Sequence, residues 1–210
     1  MIKLQLKSDF SDFYDYYFDK EGAVFIRNAT GGLPRSQMLR YLQELGFLVP
    51  PNAKVKNLAA IYPDKKLVVY TDEMAHRGEG KELLSAKDAL EKYPEKHASI
   101  YIEESNSISH RLLQVGGKRW WLKYESTDDW RSNVGEVKID IESYKDEYCP
   151  LINQPLFAID FVPSHNDELY WAVDFNIAPG IRYSGLEETI KPTEIVNLIK
   201  DAVEKFGKLE

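Results

Sequence analysis

The chain has 210 residues, of which 43% are hydrophobic and 29% charged, enough for one domain or two small lobes around a buried core. A net charge of −7 excludes a general nucleic-acid binder, while leaving room for a local basic patch. One cysteine, Cys149, permits no internal disulfide and fits a reducing cytosol, and no apolar run reaches the roughly 18–20 residues of a membrane helix. The expectation is a cytoplasmic protein with neither membrane nor nucleic acid as partner.

In chain order, residues 2–6 alternate like a strand and lack the apolar core of a secretion signal. Phe10 to Phe18 is dense in aromatics and reads as a helix or strand burying an aromatic face, with a second strand over Ala23 to Arg27. Gly31-Gly32-Leu33-Pro34 is a loop. Met38, Leu39, Leu42 and Leu45 recur at helical spacing, so a helix over Ser36 to Leu45 is predicted, stopped by Gly46. Phe47 to Pro51 runs extended, because each proline biases its predecessor away from helix. Lys66 to Thr71 reads as a strand and His76 to Lys81 as a polar loop. Ser85 caps a helix from Ala86 to Tyr93. Ser99 to Glu103 is another strand. His110 to Val115 and Arg119 to Glu125 pair across a turn at Gly116-Gly117. Residues 126–136 read as a loop, and 137–153 carry no clear pattern. A helix from Pro192 to Phe206 closes the chain, with Ile195, Leu198, Ile199, Ala202 and Val203 as its apolar stripe. The class is α+β with antiparallel strands in two lobes and a ligand cleft between them. The expected division is 1–50 as an N-terminal segment, 51–104 as a small lobe and 105–210 as a C-terminal lobe.

The chemistry concentrates late. Phe157-Ala-Ile-Asp160-Phe-Val is an apolar strand with one acid. After a polar turn, Leu169-Tyr-Trp-Ala-Val-Asp174-Phe-Asn176 is a second, with an acid and an amide two residues apart and therefore on one face. Three oxygen-bearing side chains on adjacent strands suit a hard cation such as magnesium, which takes one or two carboxylates and completes its shell on nucleotide phosphates. The structural alternative for Asp160 and Asp174 is pairing with a buried arginine. Whether they share a face depends on strand register. Gly78-Glu-Gly80-Lys81 lacks Walker spacing and reads as a plain loop, and the four histidines show no ligand spacing.

Four ordered segments resemble the ATP-grasp superfamily, over roughly residues 36–206 and most closely after 99. They are Ser99-Ile-Tyr-Ile-Glu103-Glu104, His110-Arg111-Leu-Leu, Trp130-Arg131-Ser-Asn133-Val-Gly135, and Asp160 followed by Asp174-Phe-Asn176-Ile-Ala-Pro179-Gly180. The third is similar to a loop of the branch that joins amino acids to peptides. The resemblance implies ATP and Mg²⁺ as cofactors and transfer of phosphate to a carboxylate. An amine then attacks the acyl phosphate. Peptide or small-molecule acids and amines would be the substrates, and a homodimer is a base-rate expectation. It implies Asp160, Asp174 and Asn176 as metal ligands, and Arg111 and Arg131 at the transferring phosphoryl group. Lys123 would assist them, Glu103 or Glu104 would lie near adenine or ribose, and Asn133 and Arg182 would meet substrate. Two departures stand out. Asp174 occupies a position where the family has glutamate. Tyr70 ends the strand where the family places a phosphate-binding lysine, leaving Arg27, Lys66, Arg77 and Lys81 as substitutes. A phage- and bacteria-associated branch relocates these basic residues. A catalytically weak nucleotide-binding relative, or a small-molecule kinase on the same scaffold, fits the same residues.

Overall fold

The computed structural model describes residues 2–8, 11–18, 33–75, 79–142, 156–164, 169–176, 179, 186 and 190–206. The expected strand over Ala23 to Arg27, the substitutes Arg27 and Arg77, Cys149, Arg182 and Gly180 lie outside them, as do the side chains of Glu104, Ala202 and Val203. Of the aromatic N-terminal stretch, β1 (Ile2–Ser8) and β2 (Ser11–Phe18) form an antiparallel pair.

Next comes α1 (Arg35–Glu44), ending before Gly46, whose φ of +88° suits a residue without a Cβ. A four-stranded sheet follows in the order β3-β6-β4-β5, from β3 (Asn52–Lys54), β4 (Lys66–Tyr70), β5 (Lys81–Ser85) and β6 (His97–Ile100). Two seven-residue helices, α2 (Val55–Ile61) and α3 (Ala86–Lys92), cover one of its faces. Strand alternation sends Leu67 and Val69 into the core under these helices, with Val55, Leu58, Ala89 and Ala98. Val68 and Tyr70 go to the other face, where Leu39 of α1 and Trp130 meet them.

The second sheet has five antiparallel strands in the order β11-β10-β7-β8-β9. They are β7 (Ile108–Val115), β8 (Lys118–Ser126), β9 (Val137–Glu142), β10 (Leu156–Ser164) and β11 (Leu169–Asn176). The expected turn at Gly116-Gly117 is present. Gly116 has a φ of +60° and lies against the backbone of Leu198 in α4 (Pro192–Phe206). Trp121, Phe157, Phe161, Leu112, Leu113 and Leu122 are the large, fully buried side chains of this sheet, joined by Ile195 and Ile199 from α4. Among the described residues, no helix is long and apolar enough to cross a membrane.

Several expectations needed correction. Lys81 opens β5 instead of ending a loop, because Lys81 to Ser85 finds free strand edge along β4. The strand expected over Ser99 to Glu103 ends at Ile100, and Glu103–Ser105 turns as a short 3-10 helix into β7. β9 emerges from a stretch read as patternless, and α2 went unread because seven residues give only two helical turns of signal.

Candidate nucleotide site

The site grows from three adjacent strands. Arg111 on β7 lies opposite Asp160 on β10, which lies opposite Asp174 on β11. Residues directly opposite in an antiparallel ladder point to the same face, so all three project together. The register that brings Asp174 there is irregular. Asp160 pairs with Asp174, but the next residue, Phe161, pairs with Ala172, so Val173 is an extra residue in β11. Without that bulge, Asp174 would stay on the face of Ala172 and turn away from Asp160.

Arg111 clasps Asp160 through two parallel hydrogen bonds, Nε to Oδ1 at 2.6 Å and Nη2 to Oδ2 at 2.8 Å. Its guanidinium lies 5.3 Å from the centre of the Tyr124 ring. Burial opposes the charge on Arg111, yet Asp160 outweighs it and holds the guanidinium protonated beyond its ordinary range.

Asp174 has its own arginine, one the sequence reading did not single out. Arg35, the first residue of α1, donates from Nη1 to Asp174 Oδ1 at 2.6 Å, and its side chain is only 9% exposed. Its guanidinium sits 5.7 Å from the centre of the Tyr70 ring. The start of α1 is fixed from the small lobe. Arg35 N donates to the Glu73 carbonyl at 3.1 Å, and both the backbone N and the hydroxyl of Ser36 donate to Glu73 Oε2, at 2.9 and 2.6 Å. Glu73 thereby satisfies donors that a helix start leaves without partners. Burial alone would raise the Asp174 carboxyl; Arg35, Lys81 and Arg111 together hold it below the usual carboxylate range.

Lys81 completes the cluster. It lies opposite Tyr70 and shares its face, at the end of the small sheet nearest the two acids. Burial first, then the positive field of Arg35, bring its ammonium down to about 8, against the opposing pull of Asp174 and Asp160. Arg131 adds a smaller push of the same sign as Arg35.

Not every expected residue converges. Lys66 shares the face of Val68 and Tyr70 but opens β4, exposed, roughly 13 Å of strand away from Tyr70. Lys123 lies opposite His110, one residue out of phase with Arg111, so it projects from the other face of the sheet and reaches Glu125 at 3.6 Å. Its expected place beside Arg111 is therefore corrected by register. Arg131 is held locally, with Nε and Nη2 each 2.8 Å from an oxygen of Asp129, in the β8–β9 loop. Asn133 in that loop is exposed, as is Glu103. In the same loop, Trp130 turns edge-on to Tyr101 of the small lobe at 5.9 Å between ring centres. Asn176, opposite Ala158, keeps to the face of Asp174.

Among the described residues, no three His, Cys, Asp or Glu side chains gather into a metal cage. Two facing carboxylates with an amide beside them suit a magnesium ion that draws its other ligands from phosphate and water.

Comparison with known proteins gives this arrangement its frame. No family model matches the sequence, and no curated protein matches it. Solved structures do. A Chryseobacterium gregarium RiPP-associated ATP-grasp ligase, in complex with ADP and a leader and core peptide, superposes with a TM-score of 0.56. The match has 14% identity and covers 83% of this chain and 60% of that one. The chain has the ATP-grasp fold. N5-carboxyaminoimidazole ribonucleotide synthetase from Thermus thermophilus matches with a TM-score of 0.53 at 10% identity, over 84% of this chain and 53% of that one. The Staphylococcus aureus N5-carboxyaminoimidazole synthetase complexed with ADP gives 0.51 at 14%, over 74% and 47%. The chain thus spans about half to three-fifths of the length of those proteins.

Proposed function

We propose that this chain binds ATP between its two sheets and takes part in ATP-dependent ligation of a carboxylate to an amine. The observation that carries the reading is the convergence of Arg35 from α1, Lys81 from β5 and Arg111 from β7 on Asp160 and Asp174. The ADP held by two of the similar structures, and the peptides held by one, support a nucleotide with a peptide or small-molecule acid as ligands.

The cations would neutralise a polyphosphate and hold its terminal phosphoryl group in line with the acceptor. Transfer of that group to a carboxylate oxygen leaves ADP and an acyl phosphate. The amine then attacks the carbonyl carbon, loses a proton and expels phosphate. Magnesium, held by Asp160, Asp174 and Asn176, would supply charge neutralisation at the phosphate oxygens. Arg111 is rigidly aimed by its two bonds to Asp160, so it meets developing charge without first reorganising.

The test is mass spectrometry of reactions containing ATP, Mg²⁺ and panels of acids and amines, with and without hydroxylamine as trapping nucleophile. ADP and a hydroxamate or amide are expected. AMP as the nucleotide product would contradict the scheme, as would turnover unaffected by chelation.

A further inference from the structure

The end of β4 presents no cation. Tyr70 stands there, buried, sharing a hydrogen bond of 2.9 Å with the Ser99 hydroxyl. A guanidinium nevertheless lies over its ring, delivered by Arg35 from a helix outside both sheets. Burying it requires compensation. Within the cluster, three cations face two carboxylates. Asp160 is engaged by Arg111 through both oxygens, and Asp174 by Arg35. Among the described residues, no carboxylate lies within ion-pairing distance of Lys81. The largely enclosed group therefore carries an excess positive charge on the side of Arg35 and Lys81, where an anion would complete it. The Glu73 clamp on Ser36 fixes the base of the Arg35 side chain before any ligand arrives.

Resting on the nucleotide reading above, we propose that Arg35 grips the β-phosphate of the bound nucleotide, with Lys81 beside it and Tyr70 as the platform for its guanidinium. The role belongs to a residue that precedes the small sheet, and no lysine of β4 shares it.

Calorimetric titration of wild type and Arg35→Gln with ADP, adenosine and tripolyphosphate tests this. In Arg35→Gln, ADP and tripolyphosphate are expected to bind about tenfold to a hundredfold more weakly, the range of one lost charge-assisted contact, with adenosine unchanged within about twofold. Adding Tyr70→Lys returns a cation to the strand end and recovers most of the ADP affinity. Unchanged ADP affinity in a folded Arg35→Gln overturns the proposal. So does equal weakening of ADP and adenosine, which marks a structural role, or a folded double variant that binds ADP no better than the single. Where the variants do not fold, the structure of the wild-type protein with ADP decides: a guanidinium of Arg35 out of hydrogen-bond reach of the β-phosphate overturns it. Failure of the wild type to bind ADP at all refutes the nucleotide reading itself, and is read before any variant.

Discussion

Replacing Arg111 by methionine should destabilise the protein by far more than replacing Arg111 and Asp160 together. Each partner is about four-fifths buried, with side-chain exposures of 20% and 18%. Removing one member of a fully buried pair costs about 3–5 kcal/mol, whereas an exposed pair is worth roughly 0–1. The partial exposure, and the residual field of Arg35 and Lys81, place Arg111→Met at about 2–3 kcal/mol. For a chain of this size that corresponds to a fall in melting temperature of roughly 4–12 °C. The double variant Arg111→Met with Asp160→Leu leaves no orphaned charge, and its cost should stay below about 1 kcal/mol. Urea unfolding of wild type, both single variants and the double completes a thermodynamic cycle. A coupling of about 2 kcal/mol or more is expected. Additivity within about 0.5 kcal/mol would show that the two side chains do not compensate each other, and would remove the basis for treating the charges as one buried cluster.

Lys81 makes stability depend on alkaline pH. Its folded-state value of about 8 lies below the ordinary 10.5, so between those values the unfolded chain binds more protons and stability rises with pH. The gap between wild type and Lys81→Met, followed by chemical denaturation, should therefore shift in favour of wild type from about pH 7 to about pH 10; a flat gap refutes the assignment. Gly80→Ala should cost about 2 kcal/mol or more, because φ is +64° and a new Cβ would lie 2.6 Å from the Ala75 Cβ and 2.7 Å from the Asp72 carbonyl oxygen. Thermal unfolding measures it, and a neutral result would mean the β4–β5 connection is placed differently. Ser85→Ala removes the oxygen that accepts from Asp88 N at 3.1 Å at the start of α3, with an expected loss of about 1 kcal/mol by urea unfolding.

Where side-chain period and turn chemistry agreed, the fold was legible before any coordinates. Met38, Leu39 and Leu42 announced α1, Gly116-Gly117 the β7–β8 turn, and the apolar run before Asp174 the final hairpin. The alternation Val137, Ile139, Ile141 against Lys138, Asp140, Glu142 was also present, but the unpatterned residues behind it obscured β9. β5 was hidden because its polar opening at Lys81 looks like loop until β4 is there to receive it. In the site, the facing of Asp160 and Asp174 could be posed from sequence only as a question of register, since one bulge reverses the answer. Arg35 was unreadable for another reason. Its contact with Asp174 spans most of the chain, and nothing local distinguishes it from a solvated arginine at a helix start.

The extra residue at Val173 also makes the register of β11 as consequential as its composition. Ironing out the bulge by a slip of one residue, with every side chain retained, would pair Val173 with Asp160 and carry Asp174 through the sheet to the aromatic layer of Phe161 and Tyr170, away from both guanidinium groups. Point substitutions can weaken this constellation by degrees. A one-residue slip there would dismantle it while sparing every letter that a motif search reads.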